Sequence, residues 1–290
     1  MIISWGFNDK CNKNCEYCFV GDCRYRELSF EQKCKIIDKI KKDFPEPHNL
    51  LLYFFGKEPL YDEEMFLLLD YLSSTWNKMP NGLAFLSNGI NLQKYKSDIL
   101  SHNFNRFRIS HDPGTNLPDL SGFIGNCEIE IVENVSKNNI EDAMREIIDL
   151  SNDGISVIVN PIYPQGAAKM RYDLIMEDNE YRDFCKRLIP KLTKGKTALR
   201  IPMFYKNFAF EKSYDPNINN HVWYSPHFAC NSWYGTLFIR CDGMTFGCSD
   251  AAYANCSNQY DYLSMPIDEI MIKATENKCG MECQNHKSSI

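Results

Sequence analysis

Residues 1–18 read MIISWGFNDKCNKNCEYC, an apolar run from Ile2 to Phe7 followed at once by three cysteines, Cys11, Cys15 and Cys18. The run reads as a strand. Three thiolates within eight residues, directly after a strand, can converge on one centre from a loop at its carboxyl end. In a barrel of parallel strands that end is the functional face. Structural zinc wants four ligands, commonly as two regular pairs, and no fourth ligand sits nearby in such a pair. Thiolate clusters also suit iron and sulfur, and a cubane held by three cysteines leaves one iron open to a further ligand. The spacing favours iron–sulfur over zinc.

Outward from this stretch, apolar runs alternate with amphipathic ones, the pattern of an α/β fold with parallel strands. Strands are expected at Ile2 to Phe7, Leu50 to Phe55, Leu83 to Ser87, Phe107 to Ser110, Cys127 to Val132, Ile155 to Pro161 and Leu199 to Phe204. Helices are expected at Phe30 to Lys42, Glu63 to Asn77, Leu92 to Ser101, Ile140 to Leu150 and Glu180 to Leu192. Ser29, with Gln32 three residues on, is the N-cap of the first. The stretch from His111 to Asn126 is too rich in proline and glycine for a helix. After about residue 205 the texture turns aromatic and asparagine-rich. It then gives a hairpin pattern, Leu237 to Arg240 and Met244 to Phe246 flanking Asp242-Gly243.

The whole chain has 290 residues, 44% hydrophobic and 24% charged, enough for a sizeable core and far from disorder. Its net charge of −6 lacks the basic field that non-specific nucleic-acid binding needs. No secretory signal and no apolar stretch near roughly 20 residues appears, so a cytoplasmic, membrane-free protein is expected. In a reducing compartment the 13 cysteines point to metal or redox chemistry rather than disulfides. Cys230, Cys248, Cys279 and Cys283 form a second group. Most of the remaining six, Cys241 and Cys256 among them, read as small hydrophobes.

CNKNCEYC resembles the CxxxCx(aromatic)C signature of the radical S-adenosylmethionine superfamily, with Tyr17 as the aromatic. The resemblance implies a 4Fe-4S cluster on Cys11, Cys15 and Cys18 whose open iron chelates S-adenosylmethionine. One-electron reduction then yields a 5′-deoxyadenosyl radical that abstracts hydrogen from an unreactive C–H bond. FFGKEPL resembles the family's Gly-Gly-Glu-Pro element after strand two. Gly56 gives close backbone approach there, Glu58 is an acceptor for the ligand's ammonium group, and Lys57 replaces the second glycine. LSNG and RISHD end strands three and four and look like the family's ribose and carboxylate contacts, which puts Ser87, Asn88, Ser110 and Asp112 on the cofactor. The implied fold is an open six-stranded partial (β/α) barrel over residues 1–205. Either Ile155 to Pro161, the preferred choice, or Leu199 to Phe204 supplies its last strand.

The region from Cys230 to Cys248 resembles the opening of the SPASM and twitch auxiliary-cluster domains. The count of cysteines fits the shorter twitch type, with one auxiliary 4Fe-4S cluster on Cys230, Cys248, Cys279 and Cys283 within a C-terminal domain, 206–290. Cys241 or Cys256 is a possible substitute ligand. By this resemblance the expected activity is oxidative modification of a ribosomally made peptide, by crosslinking or related C–H functionalisation, with a flavodoxin or ferredoxin as electron donor. Ten residues precede Cys11, so a leader peptide is expected to bind the barrel itself or a separate protein. The alternatives are a twitch-type dehydrogenase of a sugar or aminocyclitol alcohol, and a non-catalytic structural metal protein. No catalytic acid or base is assigned; Asp22, Cys23, His111 and Tyr163 are the candidates near the expected mouth.

Overall fold

The computed structural model of the chain describes residues 1–21, 24–76, 80–104, 106–201, 222–226, 236–247, 252–253 and 259–276. Eight strands run parallel to their neighbours in chain order: β1 (Ile2–Gly6), β2 (Leu51–Phe55), β3 (Gly82–Ser87), β4 (Arg106–His111), β5 (Glu128–Val135), β6 (Ser156–Pro161), β7 (Thr197–Ile201) and β8 (Val222–Pro226). Both candidates for the last barrel strand are present: Ile158 of β6 pairs with Ala198 of β7. The preferred one is the sixth, and the other lies beside it as the seventh.

Side chains alternate across each strand, as the period of two requires. Ile3 and Trp5 of β1, Leu52 and Phe54 of β2, Phe107 and Ile109 of β4 and Ile131 of β5 face one side and are buried. Helices α1 (Phe30–Asp43) and α2 (Glu64–Thr75) cover that side with Ile36, Ile37, Ile40, Met65, Leu69 and Leu72. Full burial of such side chains is worth about 1.5–3 kcal/mol each, so this layer fixes the sheet. Helices α4 (Ile140–Asn152) and α5 (Asp178–Leu188) form a second cluster against β5 to β7 through Ile147, Tyr181, Phe184 and Leu199. Intervening residues such as Tyr53, Arg108, Ser110 and Asn134 face the other side, which is a cavity.

Local signals set the helix ends. Ser29 Oγ accepts from the Gln32 amide at 3.3 Å and Gln32 Oε1 from the Ser29 amide at 2.9 Å, closing the capping box. α5 stops at Leu188, earlier than periodicity predicts, and a 3₁₀ turn, Ile189–Lys191, takes over at Pro190. The third helix, α3 (Lys96–Ser101), is also shorter, because turns occupy the residues before it. A further helix among the described residues, α6 (Ile267–Glu276), was not expected. Among the described residues no helix is long and apolar enough to cross a membrane.

The expected hairpin forms from β9 (Thr236–Ile239) and β10 (Met244–Phe246), with Gly243 at φ +82 in its turn and β11 (Tyr260–Asp261) beside it. It does not stand apart from the barrel. β9 pairs in parallel with β1, Ile3 opposite Leu237, so one sheet of 11 strands runs from β11 to β8 among the described residues. The pairing covers the outer N–H and C=O groups of β1, which an edge strand would leave open.

Candidate functional site

The carboxyl ends of β1 to β7 surround a cavity of about 780 Å³. The loop after β1 brings Cys11, Cys15 and Cys18 into its wall, and all three are half-buried free thiols. A turn holds them: the Cys18 amide donates to the Cys15 carbonyl at 3.1 Å. Burial pushes the Cys15 thiol up to about 11, with the Lys13 ammonium pulling the other way. The Cys11 thiol is likewise raised by burial, although it accepts from the Lys13 amide at 3.4 Å. Tetrahedral zinc would draw thiolates to about 3.8 Å from one another. Among the described residues, the trio whose ligand atoms all converge within 4.8 Å is His111, Glu133 and Glu146, not the cysteines. Three thiols on one loop can each take a separate iron corner of a cluster.

Tyr17 lines the cavity, and its Oη accepts from Asn134 Nδ2 at 3.3 Å. Gly56 also lines it, at φ +125, where a Cβ would come within 3.1 Å of Gly6 Cα. Only glycine fits this close crossing of two strand ends. Lys57, in place of a second glycine, reaches Asp9 Oδ1 at 3.1 Å. Glu58 is placed differently from expectation. It is 1% exposed, does not line the cavity, and accepts from Ser87 Oγ at 2.8 Å, the Asn88 amide at 2.7 Å and the Leu60 amide at 2.9 Å. Burial raises its carboxyl above the usual range against the pull of these donors. Its oxygens therefore pin the end of β3 to the loop after β2, behind the wall.

Ser87 and Asn88 do reach the wall, and Asn88 Nδ2 lies 2.8 Å from Asn12 Oδ1 and 3.8 Å from Cys11 Sγ. Ser110 is there too, accepting from Asn134 Nδ2 at 2.9 Å. Asp112 lies outside this wall in a smaller side cavity, where it holds Lys13 Nζ at 2.5 Å. It thus ties the cysteine loop to the end of β4. Of the other candidates, Tyr163 lines the cavity, whereas His111 turns to the opposite face of β4. Asp22 and Cys23 lie outside the described residues, as do Cys230, Cys248, Cys256, Cys279 and Cys283. Cys241 is buried beside the hairpin with its thiol pushed up to about 12, first by burial, as befits a small hydrophobe.

Sequence reading missed the far wall. Asn160 Nδ2 donates to Asn134 Oδ1 at 2.9 Å, and Arg200 Nη1 donates to Asn160 Oδ1 at 3.1 Å. A polar ladder thus crosses β4, β5, β6 and β7. Deeper, Arg108 Nε binds Glu130 Oε2 at 2.7 Å, and its guanidinium lies 5.4 Å from the centre of the Tyr53 ring. The period of two within each strand was the available signal. Among the described residues, six cationic side chains (Lys10, Lys13, Arg24, Lys57, Arg108 and Arg200) and one carboxylate, Asp9, line the cavity. That inverts the sign of the whole chain.

The loop after β6 closes the site from above. The Ala167 amide donates to the Cys18 carbonyl at 2.9 Å, and a Cβ on Gly166 would fall 2.3 Å from the Cys18 and Phe19 oxygens. Backbone lies directly on backbone there.

A family model described as a 4Fe-4S single cluster domain matches residues 4–109, the segment holding the three cysteines and the ends of β2, β3 and β4. No curated protein matches the sequence. Among solved structures, Streptococcus suis SuiB bound to precursor peptide SuiA is similar at a TM-score of 0.61 and 13% identity, over 93% of this chain and 64% of SuiB. The chain thus spans less than two thirds of SuiB. Native anSMEcpe with bound AdoMet and Kp18Cys peptide is similar at a TM-score of 0.63 and 13% identity, over 99% of this chain and 81% of that one. Its sheet thus has the partial-barrel α/β fold of SuiB and anSMEcpe.

Proposed function

We propose that the protein is a radical S-adenosylmethionine enzyme that oxidatively modifies a ribosomally made peptide. The observation that carries this reading is the set of three half-buried cysteines on one loop at the strand-end mouth of a cavity of about 780 Å³. That volume is within the range of small-molecule sites and leaves room for a cofactor and one reacting segment. The peptide part is supported by the shared fold with structures that hold peptide in SuiB and anSMEcpe.

Cys11, Cys15 and Cys18 would hold a 4Fe-4S cluster. Bound with S-adenosylmethionine, it supplies a one-electron route to hydrogen abstraction from an unactivated C–H bond. This chain's own residues bind and orient. Gly56 lets the cofactor approach the backbone, Ser87, Asn88 and Ser110 offer amide and hydroxyl groups, and Tyr17 is steadied by Asn134. Glu58 and Asp112 act through others, by fixing Asn88 and Lys13. Cys230, Cys248, Cys279 and Cys283 within 206–290 would hold an auxiliary 4Fe-4S cluster, which would supply either an electron-accepting centre or an open iron for substrate. A flavodoxin or ferredoxin would deliver the starting electron, and the barrel itself or a separate protein would bind a leader peptide.

The test is 5′-deoxyadenosine formation by protein reconstituted without oxygen, given S-adenosylmethionine and a strong reductant. Product is expected from the native protein and none from Cys15→Ala. No product from a protein with a filled three-cysteine cluster, given also the peptides encoded beside its gene, would overturn the reading.

A further inference from the structure

Four of the cations in the cavity wall are already paired. Lys10 holds Asp62 at 2.9 Å, Lys13 holds Asp112 at 2.5 Å, Lys57 holds Asp9 at 3.1 Å and Arg108 holds Glu130 at 2.7 Å. Arg24 is exposed at the rim. Arg200 differs from all of these. It is half-buried inside the cavity, it makes one side-chain hydrogen bond, Nη1 to Asn160 Oδ1 at 3.1 Å, and no carboxylate pairs with it among the described residues.

A guanidinium offers five N–H donors in a planar fork, and among the described residues Arg200 meets one side-chain acceptor, Asn160 Oδ1. Its direction is nevertheless fixed. Asn160 gives its amide hydrogen to Asn134, which leaves Oδ1 for Arg200, and Asn134 is itself held on Ser110 and the His111 carbonyl. Two residues back along β5, β6 and β7 stand Val132, Ile158 and Ala198, an apolar cluster paired across the three strands. A half-buried, aimed guanidinium is the arrangement that binds a planar carboxylate in two-point fashion.

We propose that Arg200 anchors a carboxylate of the substrate, from an acidic side chain or a chain end, at the β7 side of the cavity. This rests on the radical reading above and deepens it, by making the substrate an acidic one. Three hydrogen bonds in series, Tyr17 to Asn134, Asn134 to Asn160 and Asn160 to Arg200, separate the anchor from the cysteine loop. The carboxylate of S-adenosylmethionine is the other source of the same chemistry.

Cluster-loaded, full-length protein treated anaerobically with phenylglyoxal, with each arginine read by peptide mass spectrometry, separates these. Arg200 is expected to react faster than Arg108. N-acetylglutamate methylamide should slow its reaction roughly tenfold, while the glutamine analogue and S-adenosylmethionine do not. Asn160→Asp, which sets a carboxylate where the amide oxygen now accepts, should slow Arg200 with no probe present. Equal protection by both amides, protection by S-adenosylmethionine alone, an unreactive Arg200, or no effect of Asn160→Asp would each overturn the proposal. Absence of 5′-deoxyadenosine from the same preparation, with selective protection intact, would instead remove the radical reading and leave an acidic-ligand site.

Discussion

His111 follows Ser110 directly, yet the two side chains face opposite sides of β4, one into the cavity and one into the helix layer. There His111 Nδ1 lies 3.1 Å from Glu133 Oε2 and 3.7 Å from Glu146 Oε2. Burial alone would push the imidazole down, but the two carboxylates outweigh it and hold its pKa above the usual 6.5. A folded-state pKa raised in this way gives stability that is fully present below pH 6.5 and is lost as pH rises through the higher value. The buried Glu133, also raised, works in the same direction from lower pH. Against His111→Gln, the native protein should therefore lose denaturant midpoint on going from mildly acid to mildly alkaline buffer. A difference between the two that stays flat with pH would show that the imidazole does not titrate there.

At the level of elements, the loops at the strand ends matter more than the strands. Gly166, at φ +56, presses the β6 loop onto Cys18 and Phe19, so Gly166→Ala adds left-handed strain of roughly 1–3 kcal/mol and a clash that parts the two loops. Its expected signature is a marked drop in iron and sulfide retained after reconstitution, with a native far-ultraviolet circular dichroism spectrum. Full retention would mean that the loops need not touch. The elements themselves were largely legible, because the apolar runs at Ile2, Leu51 and Ile155 and the Ser29 box have local causes. The far wall was not, for a local reason of its own. A strand that reads as ending with the apolar run at Val132 in fact continues through Glu133 and Asn134 to Val135, and the extra length of pleat is what carries Asn134 inward. Glu58 was recognisable as a motif residue, but whether its oxygens face a ligand or the Asn88 amide depends on a neighbouring strand distant in sequence.

For the molecule as a whole, the hairpin and the barrel share one sheet and one small core. Phe238 is 1% exposed and packs on Phe55 of β2, Phe246 of β10 and Tyr253, in the cluster that also contains Val20 below the cysteine loop. Phe238→Ala should cost about 3–5 kcal/mol in chemical denaturation and speed amide hydrogen exchange in β1. A smaller loss with β1 exchange unchanged would mean that the hairpin unfolds on its own. The position of β1 between β2 and β9 also orders events at the ribosome. Its first partner follows within some fifty residues, but its second is made only near residue 236. At roughly 5–20 residues per second the strand bearing the cysteine loop then waits on the order of ten seconds or longer, half-paired, for its other neighbour. Until then one flank of β1 keeps its N–H and C=O groups unpaired, and docking of the late hairpin shuts the strand in.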